Sequence, residues 1–249
     1  MMLRRLRLEA GETRILCAMG QELLEDPRAD SLSPSARRLL RRPRPKYRGV
    51  LHRWAAMVSI PAGAILVIGA DGAEAKLAMF VFSLGALAML GTSAIVHLRD
   101  WPIERVESLV RFDHAAIFLT YATTATPISL LALDGQPSLW LLGATWVGAA
   151  VGITLEWAPF HPPAGVVNAI FFAFGGVVPV FAPWLIEAFT LSQGIWFVGG
   201  LLMYALGAFI VGARYPDPFT DVFGYHEIWH VFVVVAIGAH YALAIDLAW

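Results

Sequence analysis

Residues 223–236 read FGYHEIWHVFVVVA and open the last long apolar run of the chain. Two histidines, His226 and His230, and one glutamate lie at the head of a segment that otherwise has the composition of a membrane span. On a helix, positions i and i+4 lie on one face, one turn apart, so both imidazoles can point to one place. Because polar side chains at membrane depth are costly, this stretch predicts a buried site to which other segments contribute.

The composition of the chain is that of an integral membrane protein. Of its 249 residues, 58% are hydrophobic and 15% are charged, whereas soluble domains are about 45–50% apolar. The apolar residues form long runs that contain almost no charge, which argues against one soluble domain. The single Cys17 excludes an intramolecular disulfide, and the arginine-rich N-terminus does not have the pattern of a cleavable signal peptide.

Seven apolar runs have about the 17–25 residues that a membrane-spanning helix needs. The breaks between them contain turn-forming or charged residues, such as Asp71-Gly72 and Asp134-Gly135. We therefore predict an all-α integral membrane protein, a bundle of seven transmembrane helices. The predicted spans are 50–70, 76–98, 113–133, 138–158, 164–186, 193–213 and 224–246.

The distribution of lysine and arginine predicts the orientation of the bundle. With the N-terminus in the cytoplasm, the inner segments hold the basic residues of the tail together with Arg99, Arg105, Arg111 and Arg214, and the outer segments hold only Lys76. The C-terminus is then outside, and the localisation expected is a multi-pass protein of the cytoplasmic or plasma membrane.

Residues 1–46 are predicted to form a basic cytosolic tail, and residues 47–249 the transmembrane domain. Ser33 followed by Pro34 has the pattern of a helix cap and a first helical residue. The tail has two interpretations: a surface helix on anionic lipid, or a poorly ordered segment whose charges orient the protein. The second is favoured, because chain termini are commonly poorly ordered.

The alternation of direction along the seven spans predicts where the metal-binding side chains meet. The second run ends at His97, the third begins with Asp113, and the seventh begins with His226 and His230, so all four residues lie at the inner face. Catalytic zinc is commonly held by three protein ligands and a water. We predict His97, His226 and His230 as the zinc ligands and Asp113 as the residue that orients the zinc-bound water or acts as a base. Ser93, one turn before His97, is predicted to support the site.

Two other interpretations of these residues are open. The histidines could simply lie at headgroup level, which is plausible for one histidine and less so for the set. Residues 226–230 also match the zinc-protease motif H-E-x-x-H, but Ala236 occupies the position of the third histidine in its extended form. We interpret Glu227 as a helix-start or interfacial carboxylate, His52 and His114 as interfacial, and His240 as a buried histidine outside the site.

Four stretches carry a resemblance to a known family: residues 46–52 (KYRGVLH), 93–97 (SAIVH), 111–118 (RFDHAAIF) and the segment from Pro218 to His230. In these residues the chain resembles the hemolysin III branch of the progestin and adipoQ receptor family, and the likeness spans about residues 46–249. It implies a seven-helix protein with a cytosolic N-terminus and a zinc ion bound by three histidines near the inner face, beside an aspartate. Transferred residue by residue, these are His97, His226, His230 and Asp113, with Ser93 in support.

The resemblance implies three kinds of function, because family members are described as receptors, as ceramidase-like lipid amidases and as haemolysins. Our hypothesis is zinc-dependent hydrolysis of an amide or ester bond in a lipid, with membrane lipids as partners and an acyl lipid as substrate. The first alternative is a ligand-responsive receptor with a structural zinc. A pore-forming haemolysin ranks last, since few polar residues are available to line a lumen. Nothing in the sequence indicates a protein partner, and no nucleic-acid partner is expected.

Overall fold

The computed structural model describes residues 26–40, 44–160, 177 and 180–249. Within these ranges the regular elements are helices, which confirms the predicted all-α class. A short 3-10 helix, Pro27–Ser31, precedes them. The helices are α1 (Pro34–Leu40), α2 (Val50–Gly69), α3 (Gly72–Leu98), α4 (Ile103–Pro127), α5 (Gly135–Glu156), α6 (180–188), α7 (Leu191–Ala213) and α8 (Tyr225–Ala248).

In the described part of the chain, six helices are long and apolar enough to cross a membrane, namely α2, α3, α4, α5, α7 and α8. Their bounds agree with the predicted spans to within a few residues, except that α4 begins at Ile103 rather than near 113. The first turns of α4 pack against α1. They therefore form a helix although their residues are not uniformly apolar. After Pro127 the chain continues as a π-helical turn, Ile128–Ala132. The predicted span 164–186 lies mostly outside the described residues.

Close approach of small residues sets the distance between α3 and its neighbours, as is common where helices pack in a membrane. Gly85 of α3 faces Thr123 of α4, and a Cβ atom at Gly85 would lie 1.8 Å from the Thr123 hydroxyl oxygen. Gly49, at the start of α2, has a φ of 76° and packs on the end of α3, where a Cβ would lie 2.9 Å from the His97 carbonyl carbon. A larger residue at either position would separate the helices that build the site.

Residues 26–40 pack on the bundle, which differs from the favoured interpretation of a poorly ordered tail. Ala29, Leu32 and Leu39 are buried, in one cluster with Val106 and Val110 of α4. Apolar burial explains why this part of the tail is ordered, since residues at this spacing present one apolar face.

Polar contacts support the same packing. The Ser33 hydroxyl accepts a hydrogen bond from the Ala36 N–H at 3.2 Å, and the Ser33 N–H donates to Glu107 at 2.9 Å. This confirms Ser33 as the cap of a helix that begins at Pro34. Arg28 forms an ion pair with Glu104, and its hydrogen bonds to Asp26 lower the pKa of that carboxyl to about 2.

Polar contacts also identify the two ends of the bundle. We call the end that contains His97 and Asp113 the site end and the opposite end the far end. Helix α5 ends at the site end, where Glu156 lies 3.2 Å from His114 of α4. Helix α7 begins at the far end, where Gln193 donates to the Asp246 carbonyl near the end of α8 at 3.1 Å.

Candidate metal centre

Three histidines meet at the site end of the bundle. His97 lies in the last turn of α3, and His226 and His230 lie in the first two turns of α8. Their candidate ligand nitrogens all lie within 4.8 Å of one another. His97 and His230 are 7% and 3% exposed, so the group is shielded from bulk water. The direction of the spans predicts that these three histidines lie at one depth in the membrane, and in the structure they lie together.

The spacing of two of these nitrogens is that of ligands to a single bound metal ion. The Nε2 atoms of His97 and His226 are 3.4 Å apart. With zinc–nitrogen distances of about 2.0–2.1 Å and tetrahedral geometry, two ligand nitrogens lie about 3.3 Å apart. Side chains on two different helices thus have the separation that one ion requires, and the three histidines could hold a metal ion.

Asp113 reaches the same position from a third helix. Its Oδ2 atom lies 3.6 Å from the His97 Nε2 atom, which is too far for a direct hydrogen bond. The Oδ1 atom is buried and has no hydrogen-bond partner among the residues that the structure describes. A buried carboxylate oxygen without a donor is costly, so this atom is available to a water molecule or a ligand at the site.

Ser93 is 2% exposed and lies one turn before His97 on α3. The structure thus places it at the depth and on the helix that were predicted. Its supporting role at the site stays a prediction.

The interpretation of His52 as interfacial is wrong. The side chain is fully buried, and its ring stacks on the His230 ring with centroids 4.0 Å apart and planes 19° apart. The start of α2 packs on the end of α3 through Gly49 and on α8 through the His52 ring, which accounts for the burial. No periodicity marks His52, and the one signal that could have identified it was its place in the family-like stretch 46–52.

His114 and His240 lie outside the group of three. His114 is half-buried and contacts Glu156. His240 is buried as predicted, with its ring centroid 5.8 Å from that of Tyr204. Neither imidazole belongs to the metal-capable cluster of the described residues.

Glu227 fixes the start of the helix that carries two of the histidines. Its Oε2 atom accepts a hydrogen bond from the Gly224 N–H at 2.8 Å, which confirms its interpretation as a helix-start carboxylate. Its Oε1 atom forms an ion pair with Arg48, which precedes α2. Glu227 is only 3% exposed. The role of Arg48 cannot be predicted from the sequence, because a basic residue before a membrane span is ordinarily explained by orientation alone.

Fold and site together define the class: a multi-pass helical membrane protein with a buried histidine and carboxylate cluster at one end of its bundle. Residues 40–241 match the family model described as "Haemolysin-III related". The chain belongs to this family, the hemolysin III branch of the progestin and adipoQ receptor family, as its sequence motifs predicted.

Named relatives of the chain come from bacteria and animals. It is 30% identical over 190 residues to Hemolysin-3 of Bacillus cereus, a match that covers 74% of this chain and 83% of that protein. It is 26% identical over 186 residues to the adiponectin receptor protein of Drosophila melanogaster, covering 68% of this chain and 42% of that protein. It is 24% identical over 195 residues to the human monocyte to macrophage differentiation factor, covering 76% and 78%.

Proposed function

We propose that the protein is a seven-helix, zinc-dependent hydrolase of an amide or ester bond in a membrane lipid. The observation that carries the proposal is the position of Asp113 beside the three histidines. A carboxylate with an unused buried oxygen, Oδ1, lies next to a group of side chains that fits one metal ion. A base beside a metal is the arrangement that metal-assisted hydrolysis requires.

The seven-helix topology is supported by the positions of two described residues. Glu156 ends α5 at the site end, and Gln193 lies in the first turn of α7 at the far end. Because these two residues lie at opposite ends of the bundle, we infer a seventh crossing between them, in addition to the six described spans. The lysine and arginine bias then places the site end and the N-terminus in the cytoplasm. Reporter fusions at Asp134 and at the C-terminus should both report an outside location, and an inside signal at both would overturn this orientation.

Zinc is the metal favoured by the ligand set. Three imidazoles without a thiolate suit zinc, and three protein ligands leave one coordination position open, as in catalytic zinc sites. The family resemblance implies the same metal. When bound, a zinc ion supplies Lewis acidity toward a carbonyl oxygen and toward water at neutral pH.

The other roles in the proposed hydrolysis belong to side chains of the protein. His97, His226 and His230 would hold the ion, and Asp113 Oδ1 would orient a water molecule at the site or accept its proton. The buried ring of His52 supports the His230 ring by stacking. The burial of these groups limits access by bulk water, which strengthens the electrostatic interactions within the site.

A lipid is the substrate class that fits the location. The site lies at the ends of membrane-spanning helices, near the depth at which a lipid carries its headgroup linkage. Apolar side chains such as Leu51 and Val231 are exposed on the helix surfaces around it. An acyl chain can therefore remain in an apolar environment while its carbonyl group reaches the histidines.

A ligand-responsive receptor with a structural metal is the second candidate, and one observation favours it. The histidines come from α3 and α8, helices far apart in sequence, and the exposures of His97 and His230 are only 7% and 3%. A bound ion would join these helices whether or not any substrate is turned over.

Release of fatty acid separates the two functions. Purified protein is incubated with ceramides and other acyl lipids, and fatty acid is measured for wild type and for Asp113→Ala. We expect the variant to retain zinc and lose turnover. If wild type and Asp113→Ala release fatty acid equally slowly, the activity is background and the receptor is the better supported function.

A further inference from the structure

An apolar groove leads from the surface of the bundle to the candidate metal centre. It lies between the start of α2 and the start of α8 and has a cavity volume of about 250 Å³. Leu51 and Trp54 line it on the α2 side and Val231 on the α8 side, and its lining also includes Glu227 and His230. The groove thus connects the lipid-facing surface with one of the three histidines.

Two cations flank this groove. The Lys46 Nζ atom lies 5.9 Å from the centre of the Tyr47 ring, and the Arg53 guanidinium carbon lies 5.5 Å from the centre of the Trp54 ring. Both aromatic rings line the groove, and both cations are exposed. The carboxylate in the lining, Glu227, forms an ion pair with Arg48. The groove therefore combines an apolar lining with two exposed cations.

Two further carboxylates lie near the groove, those of Asp217 and Asp221. The Asp217 Oδ1 atom accepts a hydrogen bond from the Tyr225 N–H at 3.1 Å, and the Asp221 carbonyl oxygen accepts one from the Lys46 N–H at 3.0 Å. Within the described residues neither carboxylate forms an ion pair with the side chain of Lys46 or Arg53, so both cations are available to an anionic group. Cations of this kind beside a membrane span attract anionic headgroups.

We propose that this groove binds one acyl chain of a phospholipid, with the phosphate held by Lys46 and Arg53, and that substrate reaches His230 by this path. The inference rests on the proposed function and narrows its substrate to an acyl lipid with a phosphate-bearing headgroup, rather than a neutral ceramide. The cavity is smaller than the ~300–1,000 Å³ sites that enclose whole ligands. It therefore holds one segment of the lipid while the rest stays in the bilayer.

Cations and aromatic residues also occur at membrane interfaces as simple anchors. What distinguishes this set is the continuity from the cations, through the apolar lining, to His230. An anchoring role requires no such path. Filling the groove and removing its charges should therefore each affect lipid binding specifically.

The test uses the full chain in bilayer nanodiscs that contain trace phosphatidylglycerol with a photoreactive group on one acyl chain. After illumination, labelled peptides are mapped by mass spectrometry. We expect label in residues 47–54 and 223–231. Val231→Trp, which fills the groove, should abolish this label, whereas Val235→Trp, an exposed valine one turn later on the same helix, should leave it unchanged. The Tm of each variant, measured in detergent, reports whether it is folded.

The charge requirement has its own matched control. Lys46→Gln combined with Arg53→Gln should weaken labelling by the phospholipid by about 30-fold. This figure combines the typical contributions of two basic residues to binding at an anionic membrane. Arg99→Gln combined with Arg105→Gln removes the same charge from the same end of the bundle and should have little effect. A photoreactive ceramide should label the groove weakly, and this labelling should not change when Lys46 and Arg53 are replaced.

The outcomes separate this inference from the proposed function. Undiminished groove label in Val231→Trp, or equal loss in both double variants, would overturn the inference. Release of fatty acid from ceramide without any label in the groove would overturn the groove inference and leave the proposed function intact. Intact phospholipid labelling that depends on Lys46 and Arg53, without any release of fatty acid, would confirm the groove and contradict the hydrolase.

Discussion

Replacement of Arg48 by alanine tests how the start of α8 is held in place. The substitution leaves Glu227, which is only 3% exposed, without its cation. Loss of one partner of a buried ion pair costs about 3–5 kcal/mol. The Arg48 side chain is 19% exposed, so water reaches the pair from one side and we take the lower figure, about 3 kcal/mol.

The consequence can be measured as thermal stability. At roughly 2–4 °C per kcal/mol for chains of 150–250 residues, about 3 kcal/mol corresponds to a Tm lower by about 6–12 °C. Purified protein in detergent is unfolded by heat and followed by the fluorescence of its nine tryptophans. Zinc content should fall as well, because Glu227 lies between the two histidines of α8 in sequence and caps their helix.

A double variant provides the control. Arg48→Met with Glu227→Gln removes both charges, and the glutamine can still accept the hydrogen bond from the Gly224 N–H. Replacing a buried pair by neutral groups is often close to neutral in stability, so the double variant should recover most of the lost Tm. A Tm for Arg48→Ala equal to that of wild type, or a double variant less stable than the single one, would refute the reasoning.

Two further predictions concern packing around the site. His52→Ala should lower zinc occupancy, because it removes the ring that stacks on His230, whereas His52→Phe should retain zinc; loss in both variants would instead make His52 a ligand. Gly85→Ala should destabilise the protein by about 1–3 kcal/mol through overpacking against Thr123. Gly91→Ala on the same helix meets no atom within 4 Å and should be neutral or stabilising by about 0.5–1 kcal/mol. Equal Tm values for the two glycine variants would contradict the close packing of α3 on α4.

Hydropathy and the direction of the spans were sufficient to predict much of the architecture. A span is a property of twenty consecutive residues, so its bounds can be read locally, as the agreement for α2 and α8 shows. The meeting of His97, Asp113 and His226 could be predicted because His97 and His226 lie in terminal turns of their helices and Asp113 is the last charged residue before a long uncharged run of α4. The zinc itself and the hydrolysis stay predictions.

The roles of residues that depend on tertiary packing cannot be predicted from local sequence patterns. His52 lies near the start of its helix, where interfacial histidines are common, and only its contact with His230 shows that it is buried. Arg48 looks like an orientation charge until it is found paired with Glu227. The packing of residues 26–40 likewise depends on an apolar surface of α4 that local patterns do not indicate.

The central claim, a zinc ion held by three histidines, is tested most directly by metal analysis of purified protein with a matched pair of variants. His230→Ala removes one member of the cluster, and His240→Ala removes a buried histidine ten residues later on the same helix. We predict about one zinc ion per chain in wild type and in His240→Ala, and a sharp loss in His230→Ala, because two histidines leave the site incomplete. Equal zinc content in the two variants would contradict the account.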